Sequence, residues 1–359
     1  MAQQQIRTAI IGFGVSARIF HLPFLDTDSR FLVGAFLERH GTASQARYPQ
    51  AKIFATIDGL LAWQPDLVII CSPNDCHYSQ ARQCLEAGCH VIVEKPFTIT
   101  VGEAESLIDL AEKQKRILTV FHNRRLDGDF LTVQDIVRAA TLGRIVEAEI
   151  RYDRWTPGLR PKAWKENGSP GSSLLEDLGS HLIDQALTLW GMPKLVTALL
   201  ACQRAESRVD DAFDLRLDYA NTGVNSGLSV RLKGGMLVRE GLPRWSLFGT
   251  GGSFVKSGTD PQESHLLAGL SPFDPVFGLE EPQFQGILHH RVGNPDNGET
   301  WVRESVTGRR GAYAEFHRNI AAAILEGAEL LVKPIEALAV VRIIAAARLS
   351  SLEHRSVAP

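Results

Sequence analysis

The sequence predicts two domains: a doubly wound α/β domain around a parallel sheet, then an α+β domain with a large open mixed or antiparallel sheet. From residue 6 to about 120, short apolar runs alternate with helical patterns. After about residue 125 the strand patterns are longer and alternate between apolar and polar residues, as in a sheet with one exposed face. The chain has 359 residues, more than one core usually supports, and we expect domains over 1–123 and 124–359.

Six β-rich runs are predicted as strands in the first domain, and several of them are nearly continuous apolar runs, as in strands buried on both faces. They are IRTAII (6–11), FLVGAFL (31–37), KIFA (52–55), DLVIIC (66–71), HVIVEK (90–95) and ILTVFH (117–122). Helical patterns separate them. One ends at Gly88, a favourable C-terminal cap, and another begins at Thr100 with Glu103 at capping-box spacing.

The second domain opens with a predicted helix over 129–143. Alternating strands follow at VEAEIRYDRW (146–155), AFDLRLDY (212–219) and NSGLSVRL (225–232). Two helices, over 311–327 and 335–355, close the chain, and Pro334 lies where the last one should begin. We consider this last helix a candidate for packing back on the first domain.

Composition excludes several classes of function. The formal net charge of −3 gives no nucleic-acid footprint, and no apolar run approaches the roughly 20 residues that span a bilayer. The N-terminus MAQQQIRTAI lacks the layout of a signal peptide. Five cysteines form no metal-type C-x-x-C pair, so we interpret them as reduced thiols in a cytoplasmic protein.

The first strand ends in Gly12-x-Gly14-x-x-Ala17 and precedes a helical pattern, which is the setting of a dinucleotide-binding turn. The first glycine permits the tight turn, the second lets the backbone approach a pyrophosphate, and the small third residue permits close packing. The alternative is a plain glycine turn. Pro23 falls inside the helix that should follow and is expected to kink it. We assign cofactor binding in this turn to Gly12, Phe13, Gly14, Ser16 and Ala17.

The end of the second strand bears on the choice between NAD and NADP. Glu38 stands where an acidic residue would bind the ribose hydroxyls of NAD. Arg39 and His40, directly after it, could instead hold the 2′-phosphate of NADP. We predict an NAD(P) cofactor with a slight preference for NAD, and count Glu38 and Arg39 among its ligands.

Polar residues follow the fifth and sixth strands, at the edge where ligands bind in open α/β sheets. Glu94 and Lys95 lie at the carboxyl end of the fifth strand, and Pro96 restricts the direction in which the chain leaves it. The alternative for Lys95 is an ordinary solvated lysine. His122, Asn123, Arg124 and Arg125 follow the sixth strand, and we consider the first three candidates for contacting a hydroxyl-rich substrate.

The segment SSLLEDLGSHLIDQALTLWG (172–191) predicts a buried helix with one polar stripe. Asp177, His181, Asp184 and Thr188 recur at spacings of four, three and four, which places them on one helical face. Buried ionisable groups must be paired or used in chemistry. A satisfied core histidine and a metal site are the alternatives. We predict no metal, because we find no further ligands in the sequence.

Together these motifs resemble the Gfo/Idh/MocA family, the glucose-fructose oxidoreductase and inositol dehydrogenase group, and most closely its scyllo-inositol dehydrogenase branch. The matching residues are GFG (12–14), CSPNDCH (71–77), EKP (94–96), NRR (123–125) and EDLGSHLIDQ (176–185), so the resemblance covers almost the whole chain. It implies a Rossmann domain, an α/β domain whose open sheet commonly mediates oligomers, and a homodimer or homotetramer. Ala17 in place of the third glycine, and LERH at 37–40, depart from the pattern and leave the cofactor choice open.

The resemblance also assigns Lys95, Asp177 and His181 to catalysis. Alcohol oxidation releases a hydroxyl proton, for which His181 would be the base, Asp177 its orienting partner and Lys95 a stabiliser of charge on oxygen. The remaining assignments are Ser72, Pro73, Asn74, His77, Glu94 and Lys95 to the cofactor, and Trp155 to the substrate, with Arg154 and Trp164 as weaker candidates.

The function predicted is hydride transfer between a secondary alcohol of a cyclitol or sugar and the nicotinamide. A non-catalytic NAD(P) sensor, or a reductase of a non-polyol substrate on the same scaffold, is the alternative. An inert binder could lose the lysine, aspartate and histidine, and all three are present here.

Overall fold

A computed structural model of the chain describes residues 5–159, 166, 168–293, 298 and 300–359. The chain forms two compact units. The first comprises residues 1–123, 262–277 and 312–341, and the second comprises residues 124–261, 278–311 and 342–359.

The first unit contains a parallel sheet, six-stranded in the described part of the chain, in the order β3-β2-β1-β4-β5-β6. This order reverses direction at β1 and β4, as in the dinucleotide-binding doubly wound fold. The six predicted strands are confirmed, most with shorter ends. They are β1 (Ile6–Ile11), β2 (Phe31–Leu37), β3 (Lys52–Phe54), β4 (Leu67–Ile70), β5 (His90–Val93) and β6 (Leu118–Val120).

Helices cover this sheet, and their ends follow the predicted caps. Thr100 and Glu103 form the expected capping box, and Gly88 adopts φ +79° just after a helix. The described helices of this unit are α1 (Leu22–Leu25), α2 (Ile57–Ala62), α3 (His77–Glu86), α4 (Val101–Gln114), α7 (Gln262–Leu267) and α8 (Ala314–Glu326). The last helix, α9 (Pro334–Glu353), begins at the predicted proline.

The core of the first unit lies between sheet and helices. Every residue of β4 is fully buried, which explains its continuous apolar sequence. Ala337, Leu338 and Val341, from the first turns of α9, join the same apolar cluster. That part of α9 therefore belongs to the first unit.

The predicted helix after the glycine turn differs from an ordinary α-helix. Ser16–His21 forms a π-helical turn, and α1 begins at Leu22 with Pro23 in its first turn. Proline is tolerated there because the first backbone N–H groups of a helix have no partner within it. The expected kink is thus a change of helix type immediately before the proline.

The second unit is built on a mixed sheet, eight-stranded among the described residues, in the order β14-β13-β12-β11-β7-β10-β9-β8. β7 and β10 pair in parallel, and the other neighbours pair antiparallel. The strands are β7 (Ile145–Asp153), β8 (Leu195–Ala201), β9 (Ala212–Asp218), β10 (Ser229–Gly235), β11 (Trp245–Gly249), β12 (Gly252–Lys256), β13 (Gly286–Val292) and β14 (Thr300–Val306).

One face of this sheet is buried against α5 (Gly128–Arg138) and α6 (Ser180–Trp190), the helices that follow β6 and precede β8. Alternate residues such as Ala148, Ile150 and Leu232 point inwards. The predicted fold class is therefore confirmed for both halves of the chain.

Candidate active site

The glycine turn after β1 has the geometry that a dinucleotide requires. Gly12 adopts φ +90°, and a Cβ there would lie 3.1 Å from the carbonyl oxygen of Cys71. Both features demand glycine. A Cβ at Gly14 would meet no described atom within 4 Å, so the turn is open on that side. Ala17 is fully buried, as the close packing of this motif requires.

The carboxylate of Glu38 is engaged within its own loop. It accepts hydrogen bonds from the backbone N–H of Ala43 (3.1 Å) and of Ser44 (2.9 Å), and from the Ser44 hydroxyl. Arg39 and His40, by contrast, are exposed. The side chains that follow β2 therefore present a cation, rather than a carboxylate, to solvent.

Glu94 lies at the centre of a buried hydrogen-bond cluster. Its Oε1 accepts from the Ser16 hydroxyl and lies 3.1 Å from His21 Nε2, and its Oε2 accepts from the Lys95 backbone N–H at 3.2 Å. Burial alone raises the pKa of Glu94, but the hydrogen bonds from His21 and Ser16 and the nearby Lys95 charge outweigh it, so the pKa lies below its ordinary value. Glu94 is therefore ionised at neutral pH.

Cys71 completes this cluster. Ligand-type atoms of His21, Cys71 and Glu94 all lie within 4.8 Å of one another. Burial, followed by the charge of Glu94, raises the pKa of the Cys71 thiol, which keeps it protonated. His21 and Glu94 are thus joined by their own hydrogen bond beside a protonated thiol, and we assign no metal to the three groups.

His77 holds the turn from the other side. Its Nδ1 lies 2.8 Å from the carbonyl oxygen of Pro96, and its Nε2 lies 3.1 Å from that of Ser72. Burial lowers the pKa of His77, so the ring is neutral and donates to one of the two oxygens. The Ser72 hydroxyl donates to Gln80 (2.6 Å). Pro73 and Asn74 lie at the start of the 3₁₀ turn before α3.

Asp177 and His181 lie on either side of a change in helix type. Asp177 belongs to a π-helical turn, Leu175–Gly179, and His181 to the first turn of α6. Such π turns occur frequently at functional sites. His181 is buried, whereas Asp177 is only half-buried. The neighbouring Glu176 accepts a hydrogen bond from Arg348 Nε at 2.8 Å.

The rest of the predicted polar stripe is structural. Both Asp184 oxygens accept from Arg125, at 2.9 Å from Nε and 2.6 Å from Nη2, and the pair is buried. The Thr188 hydroxyl donates to the carbonyl oxygen of Asp184. Asp184 and Thr188 therefore have structural contacts within the second unit.

The residues after β6 divide between the two units. His122 and Asn123 are buried in the first unit. In the second unit, Arg124 donates to Asp127 (3.2 Å), and its guanidinium lies 5.0 Å from the centre of the Tyr152 ring. Arg244 lies over the same ring at 4.9 Å. Arg124 is therefore part of a buried cation–aromatic cluster.

Trp155 is one of the more exposed aromatic residues, with 49% of its surface accessible. It pairs with Leu237 in an isolated bridge just beyond β7. Arg154 stacks on Tyr152 at 5.4 Å. Trp164 lies outside the described residues. Lys95 belongs to the first unit, and Asp177, His181 and Trp155 belong to the second.

Sequence reasoning missed His21 and His317. They are buried, and His21 Nδ1 lies 3.0 Å from His317 Nε2. The available signal was a histidine on the apolar face of each helical segment, which also describes many ordinary core histidines.

Comparison with known proteins identifies the family. Residues 6–122 match the NAD-binding Rossmann-fold model of the Gfo/Idh/MocA oxidoreductases, and residues 135–358 match the C-terminal α/β-domain model of the same family. The chain belongs to the Gfo/Idh/MocA family. The expectation of an oxidoreductase enzyme with an NAD(P)-binding Rossmann domain is thereby confirmed.

Among Gfo/Idh/MocA relatives, the chain is 36% identical to scyllo-inositol 2-dehydrogenase (NADP(+)) IolW of Bacillus subtilis, covering 98% of this chain and 95% of IolW. It is 34% identical to D-glucoside 3-dehydrogenase of Escherichia coli over 54% of this chain and 56% of that protein. The solved structure of yvaA from Bacillus subtilis has a TM-score of 0.93 at 35% identity, covering 100% of this chain and 99% of yvaA. The resemblance inferred from sequence motifs is confirmed.

In the part of the chain that the structure describes, no helix is both long enough and apolar enough to cross a bilayer.

Proposed function

We propose that this oxidoreductase transfers hydride between a secondary alcohol of a cyclitol or sugar, such as scyllo-inositol, and a nicotinamide cofactor. The observation that carries the proposal is the match to IolW along nearly the full length of both proteins. The partial match to D-glucoside 3-dehydrogenase supports the same substrate class.

The glycine turn would hold the pyrophosphate, because Gly12 and the open side of Gly14 leave the backbone accessible. Ser72, Pro73, Asn74 and His77 would border the cofactor after β4. The cofactor supplies the hydride chemistry when bound, and the protein positions it.

Three side chains carry the proton chemistry in this proposal. His181 takes the hydroxyl proton from the alcohol, and Asp177, one turn earlier, orients the imidazole. Lys95 donates a hydrogen bond to the reacting oxygen and stabilises negative charge there. His122, Asn123, Arg124 and Trp155 are the proposed contacts of the remaining hydroxyl groups.

For the cofactor we propose a preference for NADP, in contrast to the slight preference for NAD that the sequence alone favoured. The Glu38 carboxylate already accepts three hydrogen bonds within its loop, so binding a ribose diol would require it to give these up. The exposed guanidinium of Arg39 suits a 2′-phosphate. IolW, the relative named above, is an NADP(+) enzyme.

The test is an assay of nicotinamide absorbance with a panel of inositols and aldoses, using NAD and NADP in parallel. We expect oxidation of at least one cyclitol or sugar, faster with NADP. A protein that binds cofactor tightly but turns over no member of the panel would instead be a sensor, or a reductase of a non-polyol substrate.

We also propose a homodimer or homotetramer in the cytoplasm, assembled through the open face of the second unit's sheet. Leu199, Phe248 and Trp301 are exposed there, at 60%, 41% and 55%. The five cysteines are free thiols, which suits a reducing compartment. Sedimentation velocity measures the assembly, and a monomer would refute it.

A further inference from the structure

A chain of three buried ionisable groups runs through the first unit behind the Glu-Lys-Pro turn. His317, on α8, contacts His21 at the end of the π turn, and His21 contacts Glu94 at the end of β5. His21 and His317 are at most 1% exposed. The three groups lie far apart in sequence, so only the fold brings them together.

The direction of these hydrogen bonds follows from charge. Glu94 is ionised, so its oxygen only accepts, and His21 must donate from Nε2. His21 Nδ1 lies 3.0 Å from Nε2 of His317. His317 Nδ1 has no hydrogen-bond partner among the described residues. The His21 ring is therefore held through both of its nitrogens.

Glu94 transmits this arrangement to the next residue. Its backbone N–H donates to Ile70 at 3.0 Å, which anchors the main chain to the sheet. Its Oε2 accepts the backbone N–H of Lys95 at 3.2 Å. The side chain thus bends back over the peptide that leads to Lys95, and the position of the carboxylate restrains where the lysine points.

We propose that His21 and His317 are positioning residues for the dehydrogenase reaction, acting through Glu94 to aim Lys95. This inference rests on the proposed role of Lys95. Removing the histidines leaves the ionised Glu94 without its imidazole donor, so the carboxylate moves and the lysine with it.

A double-mutant cycle in the full-length protein tests the proposal. His21→Leu should lower kcat by about 10²-fold, as expected when a catalytic group is displaced by roughly 1 Å, and should change the cofactor Kd by less than threefold. His317→Phe should cause a smaller fall in kcat, because His21 keeps its bond to Glu94. In a Lys95→Ala background both substitutions should have no further effect on kcat.

Phe24→Leu is the matched packing control. The Phe24 ring stacks on His317 at 5.6 Å but takes no part in the hydrogen bonds. We expect a lower Tm with kcat unchanged. If His21→Leu does not fold, His21→Gln keeps a donor towards Glu94 and loses the bond to His317, and it should behave as His317→Phe does.

The proposal is overturned if the His21 substitution lowers kcat by equal factors with and without Lys95, or if it lowers only the Tm. Stoichiometric zinc in the purified protein would also overturn it, because the metal would occupy His21 Nε2. A Lys95→Ala variant with near-normal turnover would instead refute the proposed function of the lysine.

Discussion

Lys95 is the residue on which the proposed reaction depends most directly. Lys95→Ala should lower kcat by about 10²-fold or more, since it removes a positioned donor to the reacting oxygen. Cofactor affinity should change little, because the glycine turn supplies the pyrophosphate contacts. Steady-state kinetics and a cofactor titration check both expectations. Lys113→Ala, on α4, removes the same charge elsewhere in the first unit and should leave kcat as it is. Near-normal turnover of Lys95→Ala would remove the lysine from the mechanism.

Arg39 should determine the preference between the two cofactors. Arg39→Ala should reduce kcat/KM for NADP by roughly 10- to 100-fold, the effect of losing a hydrogen bond worth about 1.5–3 kcal/mol to a charged group. Its kcat/KM for NAD should stay nearly constant. Arg47→Ala serves as control, because that guanidinium pairs with Asp26 instead. Equal losses with both cofactors would contradict the assignment.

Single residues differ in how far the sequence predicts their surroundings. Gly12 was predictable because few residue types fit a tight turn between a strand and a helix. The engagement of Glu38 was not, since its partners at residues 43 and 44 belong to a turn without a periodic pattern. His21 and His317 are separated by 296 positions, and nothing local indicates that they meet.

The start of α6 carries the proposed base, His181, and the π turn at 175–179 carries its proposed partner, Asp177. If His181 accepts the hydroxyl proton, alcohol oxidation should rise with pH as the imidazole deprotonates, and reduction should fall over the same range. In Asp177→Asn the pH midpoint of oxidation should move down, because a neighbouring negative charge no longer favours the imidazolium. Profiles of kcat/KM in both directions measure this.

His181→Ala should remove the pH dependence together with most of the activity. An unchanged profile in that variant would place the base elsewhere. Asp184→Asn is the control from the same helix. It leaves the buried Arg125 charge without its carboxylate partner and should cost about 3–5 kcal/mol of folding stability, while the shape of the pH profile stays the same.

Helices and strands were predictable where a short, continuous stretch of sequence carries their pattern of apolar and polar residues. The β4 run is apolar throughout, and the end of β1 is too, because both faces of the sheet are covered there. The bounds of both strands agree with the prediction to within a residue. The predicted stripe from Asp177 to Thr188 assumed one continuous α-helix. A π turn has nearly the same composition, and it depends on a backbone hydrogen bond from Ser180 to Leu175 that leaves no trace in side-chain periodicity.

The two halves of the molecule also differ in how far the sequence predicts their sheets. In the first unit, sequential strands and helices alternate, so the sheet order follows from the rules for parallel connections. In the second unit, β7 pairs with β10 and β11, which lie roughly 80–100 residues further along the chain. Strands β8 and β11–β14 were not predicted, because their apolar residues do not alternate regularly with polar ones, as LVTALLA in β8 and WSLFG in β11 show.

The stability of the whole protein should fall in acid, because several buried or half-buried histidines resist protonation. Burial, assisted by the Arg116 charge, lowers the pKa of His90 to about 4, and burial also lowers the pKa values of His77 and His317. In the unfolded chain these rings take up protons below about pH 6.5. Between those two values the unfolded state binds more protons, so stability is complete above pH 6.5 and is lost as the pH falls towards 4.

His90→Asn isolates the contribution of His90 to this trend, because the amide oxygen can still accept the Ile117 N–H that now bonds to His90 Nδ1. The fall in Tm between pH 6.5 and pH 4 should be shallower in this variant than in the wild type, measured by calorimetry at matched ionic strength. His40→Asn, at an exposed position, should keep the wild-type slope. Some slope should remain in His90→Asn, since His77 and His317 still favour the neutral form. An identical slope in His90→Asn and the wild type would show that His90 is not among the groups that set acid stability.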